Sequence, residues 1–127
     1  MFNRIQHVSV ICSDYERSKS FYTEILELKV IREVFREERK SYKLDLSLNG
    51  TYVLELFSFP DPPPRLTRPE ACGLRHLAFE VNNLEGTIER LLKKGVSAEP
   101  IRLDEQTGKR FSFIADPDGL PIELYER

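Results

Sequence analysis

Residues 5–12, IQHVSVIC, set Ile5, Val8, Val10 and Ile11 among polar positions, the pattern of a strand. Residues 13–28, SDYERSKSFYTEILEL, change period. Ser13 or Asp14 caps a helix, and Tyr15, Ser18, Phe21, Tyr22, Ile25 and Leu26 recur at three-four spacing. Three alternating segments follow at 29–38, 42–50 and 51–59, and Asn49-Gly50 marks a tight hairpin between the last two. The same order then recurs. Residues 74–81 (LRHLAFEV) predict a strand, and 82–95 predict a helix with Leu84, Ile88, Leu91 and Leu92 on one stripe and Gly95 at its end. Residues 97–103, which include Pro100, predict a short or irregular edge strand. Strands at 109–115 and 120–126 flank the turn DPDG, 116–119.

Each half therefore reads β-α-β-β-β, which makes the chain an internal duplication. The polar interruptions repeat along with the elements. His7 and His76, the only histidines, occupy matching six-residue frames in the first strand of each half. Glu55, in Leu54-Glu55-Leu56, and Glu123, in Ile122-Glu123-Leu124, occupy matching frames in the last strand of each half. Strand alternation puts His7 on one face with Ile5, Ser9 and Ile11, and His76 on one face with Leu74, Ala78 and Glu80. Val8, Val10, Leu54 and Leu56 are left for the opposite, core-facing side. Between the halves, residues 60–73 hold five of the eight prolines and predict an extended connector.

Composition narrows the function classes. At 127 residues, with 40% hydrophobic residues, eight Phe and five Tyr, the chain can bury a core as one domain. A net charge of −2 gives no electrostatic footprint for nucleic acid or an anionic membrane, and no apolar run approaches the roughly 20 residues of a span. REVFREERK, 32–40, mixes both signs and reads as a solvated face. Cys12 and Cys72 lack ligand-like spacing and read as free thiols, and no secretory signal is visible. A cytoplasmic protein is the expectation.

If the four marked strands curve into one sheet or open barrel, two imidazoles and two carboxylates converge. That nitrogen and oxygen set suits one divalent Zn, Ni, Co, Mn or Fe ion rather than a thiolate site. Four protein ligands on an octahedral ion leave two positions for adjacent substrate oxygens.

Three motifs carry a resemblance: HVSVICSDYERSKSFYTEILEL (7–28), GLRHLAFEV (73–81) and FIADPDGLPIELYE (113–126). With them the chain resembles the vicinal oxygen chelate superfamily, which includes glyoxalase I, fosfomycin-resistance thiol transferases and extradiol dioxygenases. The resemblance implies an α+β fold of two βαβββ modules, about 1–59 and 74–127, forming a cupped, partly open mixed sheet with helices outside. It further implies metal ligands at His7, Glu55, His76 and Glu123, similar to the bacterial glyoxalase I set, and a homodimer acting on a small molecule. A glyoxalase-like lyase or isomerase would use Glu55 or Glu123 to move a proton through an enediolate. A metal-dependent thiol transferase, with Arg65, Arg68, Lys109 or Arg110 as anion contacts, and a small-molecule binder without turnover are the alternatives. Where bacterial glyoxalase I carries an Arg and an Asn for glutathione, this chain has Ile11 and Phe59. It also has no third histidine of the kind extradiol dioxygenases use.

Overall fold

The computed structural model describes all residues, 1–127. The chain divides into two compact units, Met1–Pro64 and Arg65–Arg127. In the first unit, β1 (Val8–Cys12) leads to α1 (Tyr15–Ser20), which widens into a π-helical turn over Phe21–Ile25. Then come β2 (Lys29–Arg36), a 3-10 turn at Glu37–Arg39, β3 (Ser41–Leu48) and β4 (Thr51–Ser58). In the second unit, β5 (Leu77–Val81) and α2 (Leu84–Lys93) precede β6 (Arg102–Asp104), β7 (Lys109–Ala115) and β8 (Pro121–Glu126).

Each unit holds one four-stranded mixed sheet, in the orders β1-β4-β3-β2 and β5-β8-β7-β6. The first strand of each pairs in parallel with the last, and the remaining pairs are antiparallel. Neither sheet closes. This is the expected βαβββ repeat, and its local causes repeat too. Asp14 Oδ1 accepts from the Arg17 amide at 3.2 Å to start α1, and Asn83 Oδ1 accepts from the Gly86 amide at 2.9 Å to start α2. Asn49 and Gly50, at φ 50° and 81°, make the tight β3–β4 turn that the sequence signals.

Two boundaries differ from the sequence expectation. The ladders begin at Val8↔Leu54 and Leu77↔Ile122, so His7 and His76 each sit one residue ahead of a strand rather than inside it. The segment predicted as a strand at 97–103 pairs only at Arg102–Asp104. Pro100 has no amide hydrogen for a ladder. Upstream of it the segment is held to β7 by Glu99 N–H donating to Phe113 O at 2.9 Å and Ser112 Oγ donating to Glu99 O at 2.6 Å.

Alternation decides which face is core. In the first unit Leu44, Leu46, Leu54 and Leu56 are buried on the helix side, where Tyr15 of α1 stacks on Tyr42 at 4.1 Å. Each such leucine contributes about 2 kcal/mol by leaving water. In the second unit Ile114, Ile122 and Leu124 are buried together with Leu84 and Leu91 of α2. The opposite faces carry the histidines and glutamates.

Candidate metal centre

Because Ser9 faces Glu55 and Ala78 faces Glu123 across equivalent parallel ladders, each histidine lies diagonal to the glutamate of its own unit. His7 Nε2 is 3.6 Å from Glu55 Oε1, and His76 Nε2 is 3.0 Å from Glu123 Oε2. Two donors held at about 2.0–2.2 Å by one first-row ion stand roughly 3–3.6 Å apart, so each pair has the spacing of adjacent ligands. His7 Nδ1 lies 2.9 Å from Gln6 Oε1; the tautomer that donates there keeps the Nε2 lone pair toward Glu55. The structure thus joins the four predicted residues as two pairs. No group of three or more His, Cys, Asp or Glu side chains gathers within the chain to hold a metal ion.

The surroundings of the two pairs differ. Around Glu55 the close partners are polar. Ser9 Oγ donates to Oε1 at 2.6 Å, Tyr52 OH to Oε2 at 3.2 Å, and Lys43 Nζ sits 3.2 Å from Oε2. Tyr52 also stacks on the His7 ring at 4.9 Å, so one side chain steadies both members of the pair. Directly across the ladder from Glu55 lies Asp45, 1% exposed, which accepts from Lys43, Arg32 and Tyr52. Burial pushes the Glu55 carboxyl up, but hydrogen bonds from Ser9, Lys43 and Tyr52 outweigh it and leave it below the ordinary carboxylate value. The Asp45 carboxyl is likewise lowered, its burial outweighed by Lys43, Arg32 and Tyr52. Its hydrogen bond raises the Lys43 ammonium.

Around Glu123 the same register positions are apolar. Ala78 replaces Ser9, Phe113 stands in the place of Asp45, and Phe111 in that of Lys43. Phe113 meets His76 edge-on at 5.2 Å, and Arg102 lies over Phe111 and Phe113 at 5.1 and 5.5 Å. Tyr125, on the face of Glu123, donates to Asp104 Oδ2 at 2.9 Å and is hydrogen-bonded to Thr107.

Asp45, Lys43 and Tyr52 were missed as site neighbours by the sequence reading. The signal was present: Leu44-Asp45-Leu46 has the same frame as Leu54-Glu55-Leu56. The segment 32–40, read as a solvated face, is solvated only in part, because Arg32 reaches the buried Asp45 at 3.1 Å. Of the basic residues considered as anion contacts, Arg110 is spent on Glu126 at 2.6 Å and on Glu85 of α2. Arg65 donates to the carbonyls of Leu74 and Arg75, and Lys109 donates to that of Arg127.

A family model described as Glyoxalase/Bleomycin resistance protein/Dioxygenase superfamily matches residues 4–124. The chain belongs to this superfamily. It is 62% identical over 127 residues to the uncharacterized protein YwkD of Bacillus subtilis, covering 100% of this chain and 99% of that one. A crystal structure of a glyoxalase family protein from Enterococcus faecalis matches with a TM-score of 0.91 at 46% identity, over 98% of each chain. The lactoylglutathione lyase of Salmonella typhimurium is 29% identical over 130 residues, covering 97% of this chain and 92% of the lyase. Superfamily membership makes the duplicated module a scaffold of this family, and no helix here is long and apolar enough to cross a membrane.

Proposed function

We propose that the protein is a divalent-metal-dependent, glyoxalase-like lyase or isomerase acting on a small substrate with two adjacent oxygens, with His7, Glu55, His76 and Glu123 as the ligands. The observation that carries this reading is the duplicated pair: one imidazole and one carboxylate at 3.6 and 3.0 Å, at the same register in both units. Two nitrogens and two carboxylates form a donor set suited to one Zn, Ni, Co, Mn or Fe ion, and the two carboxylates balance its charge. When bound, such an ion supplies Lewis acidity toward vicinal oxygens. The distant likeness to lactoylglutathione lyase agrees with this class of chemistry, and the protein works as a homodimer in the cytoplasm on this reading.

The chain's own residues divide the work. Glu55, held by Ser9, Lys43 and Tyr52, serves as a fixed carboxylate. Glu123 faces Ala78 and Phe113 across its ladders and has His76 as its close polar neighbour, so it has lone pairs free to take a proton. It removes the proton from the carbon beside the substrate carbonyl and returns it to the neighbouring carbon. The test is elemental analysis followed by solvent deuterium exchange into α-hydroxycarbonyl and thiohemiacetal compounds. One metal per chain, with exchange lost in Glu123→Gln and metal lost in His76→Ala, is expected. A fully loaded protein that exchanges none of these substrates contradicts the proposal.

A further inference from the structure

On the face of the first sheet that carries Glu55, the cations nearest that glutamate are matched. Arg32 bonds Asp45, and Lys43 bonds Asp45 and Glu55. Farther along the same face Arg36, and Arg39 in the 3-10 turn that follows it, are not matched. The Arg36 guanidinium lies over Phe57 at 4.8 Å and near Phe59 at 5.9 Å, and Arg39 lies over Phe59 at 5.0 Å. The two rings are stacked on each other at 5.7 Å. Arg36 gives one hydrogen bond, to Ser41 Oγ at 3.2 Å, while its Nε–H is buried without a partner. Neither guanidinium has a carboxylate partner; the nearby Glu37 is taken by Lys40 at 2.6 Å.

An aromatic face stabilises a guanidinium without using its in-plane N–H donors. Two like charges against one ring repel unless an anion joins them, and a buried N–H without an acceptor carries a cost that a ligand oxygen removes. We propose that Arg36 and Arg39, on the Phe57–Phe59 shelf, bind an oxyanion, the carboxylate or phosphate terminus of the substrate. The inference rests on the reading of Glu55 above for its link to the reaction. Phe57 and Phe59 are two and four residues beyond Glu55 on an extended backbone, which sets the anionic terminus roughly 7–13 Å from that glutamate. The substrate class is therefore a small molecule with vicinal oxygens at one end and an acid several bonds away at the other.

The test is an amide-shift NMR titration with inorganic phosphate in one arm and acetate in the other, on metal-loaded protein and on protein stripped by chelator. The expected result is saturable shifts centred on residues 36–41 and 57–59, with the tighter arm naming the acid. The dissociation constant should rise about tenfold in Arg39→Gln, which alters an exposed residue, and in Arg36→Lys, which keeps the charge but loses the planar fork. Shifts that do not saturate, that centre elsewhere, or that are unchanged in both variants overturn the shelf. Saturation that persists in protein unable to hold metal leaves the shelf standing while removing the metal reading; metal binding without saturation does the reverse.

Discussion

Replacing Lys43 with Met takes one positive charge from between two carboxylates. Asp45 and Glu55 face each other across β3 and β4, 1% and 8% exposed. Lys43 Nζ lies 2.9 and 3.0 Å from the two Asp45 oxygens and 3.2 Å from Glu55 Oε2. Both carboxylates also accept from the one Tyr52 hydroxyl, at 3.0 and 3.2 Å, so they stand within about 6 Å of each other. At that separation and an effective dielectric of about 20, two unit charges repel by roughly 3 kcal/mol. Arg32 remains on Asp45, but its side chain is 65% exposed and offsets little. Methionine keeps the length of the lysine stem, so packing loss is small. Breaking a buried charge pair costs about 3–5 kcal/mol, which the partial exposure of Lys43 reduces to about 2–3 kcal/mol here. Urea unfolding at pH 7 should show that loss, with Tm lower by about 8–12 °C for a chain of this size. The gap should narrow below about pH 4, where the carboxylates take up protons. Lys43→Met/Asp45→Asn should recover most of the loss by removing one of the two like charges. A single variant within about 0.5 kcal/mol of the parent at pH 7, or a gap that does not change in acid, refutes the network.

Tyr52→Phe keeps the stack on His7 but deletes the hydroxyl shared by Glu55 and Asp45; metal affinity measured by calorimetry should weaken about tenfold. Stability should also depend on acid. The Asp45 and Glu55 carboxyls are lowered in the folded state, so their contribution is complete above their unfolded values near about pH 4 and is lost as pH falls through the lowered ones. Lys43 is raised, so its contribution persists up to about pH 10.4 and fades only as pH climbs through its folded value. Urea midpoints followed from pH 7 down to strong acid check the first, and a flat profile contradicts it. Ala78→Ser places a hydroxyl where Ser9 stands in the other unit; it should hydrogen-bond Glu123 and slow deuterium exchange by about tenfold or more while leaving metal content unchanged.

The fold was legible because duplication repeats its own irregularities. A histidine and a glutamate breaking an apolar pattern at matching places mark paired strands more firmly than either half does alone. Asn49-Gly50 and the Asp14 and Asn83 caps were legible because each answers a local backbone need. The π-helical turn at Phe21–Ile25 was not, since the three-four stripe there suits an ordinary helix as well. Nor were the true strand starts, which depend on where the partner ladder begins. Arg32 and Arg36 were hidden in a mixed-charge run. Their partners, Asp45, Ser41 and the Phe57 ring, lie on other strands, and side-chain direction across a sheet follows register rather than composition.

The divergence of the two units has a chemical logic. On the proposed reading, holding an ion asks the same of both, an imidazole beside a carboxylate, and each unit has such a pair, at 3.6 and 3.0 Å. Moving a proton asks for opposite things of the two glutamates. On the proposed mechanism one keeps its geometry and charge, which the serine, lysine and tyrosine contacts at Glu55 favour. The other must accept and release a proton, which strong fixed donors would hinder. At the register positions matching the donors Ser9 and Lys43 the second unit has Ala78 and Phe111, and Phe113 stands where the acceptor Asp45 does. On the proposed mechanism, this contrast fits a duplicated pair whose halves take on different chemical tasks.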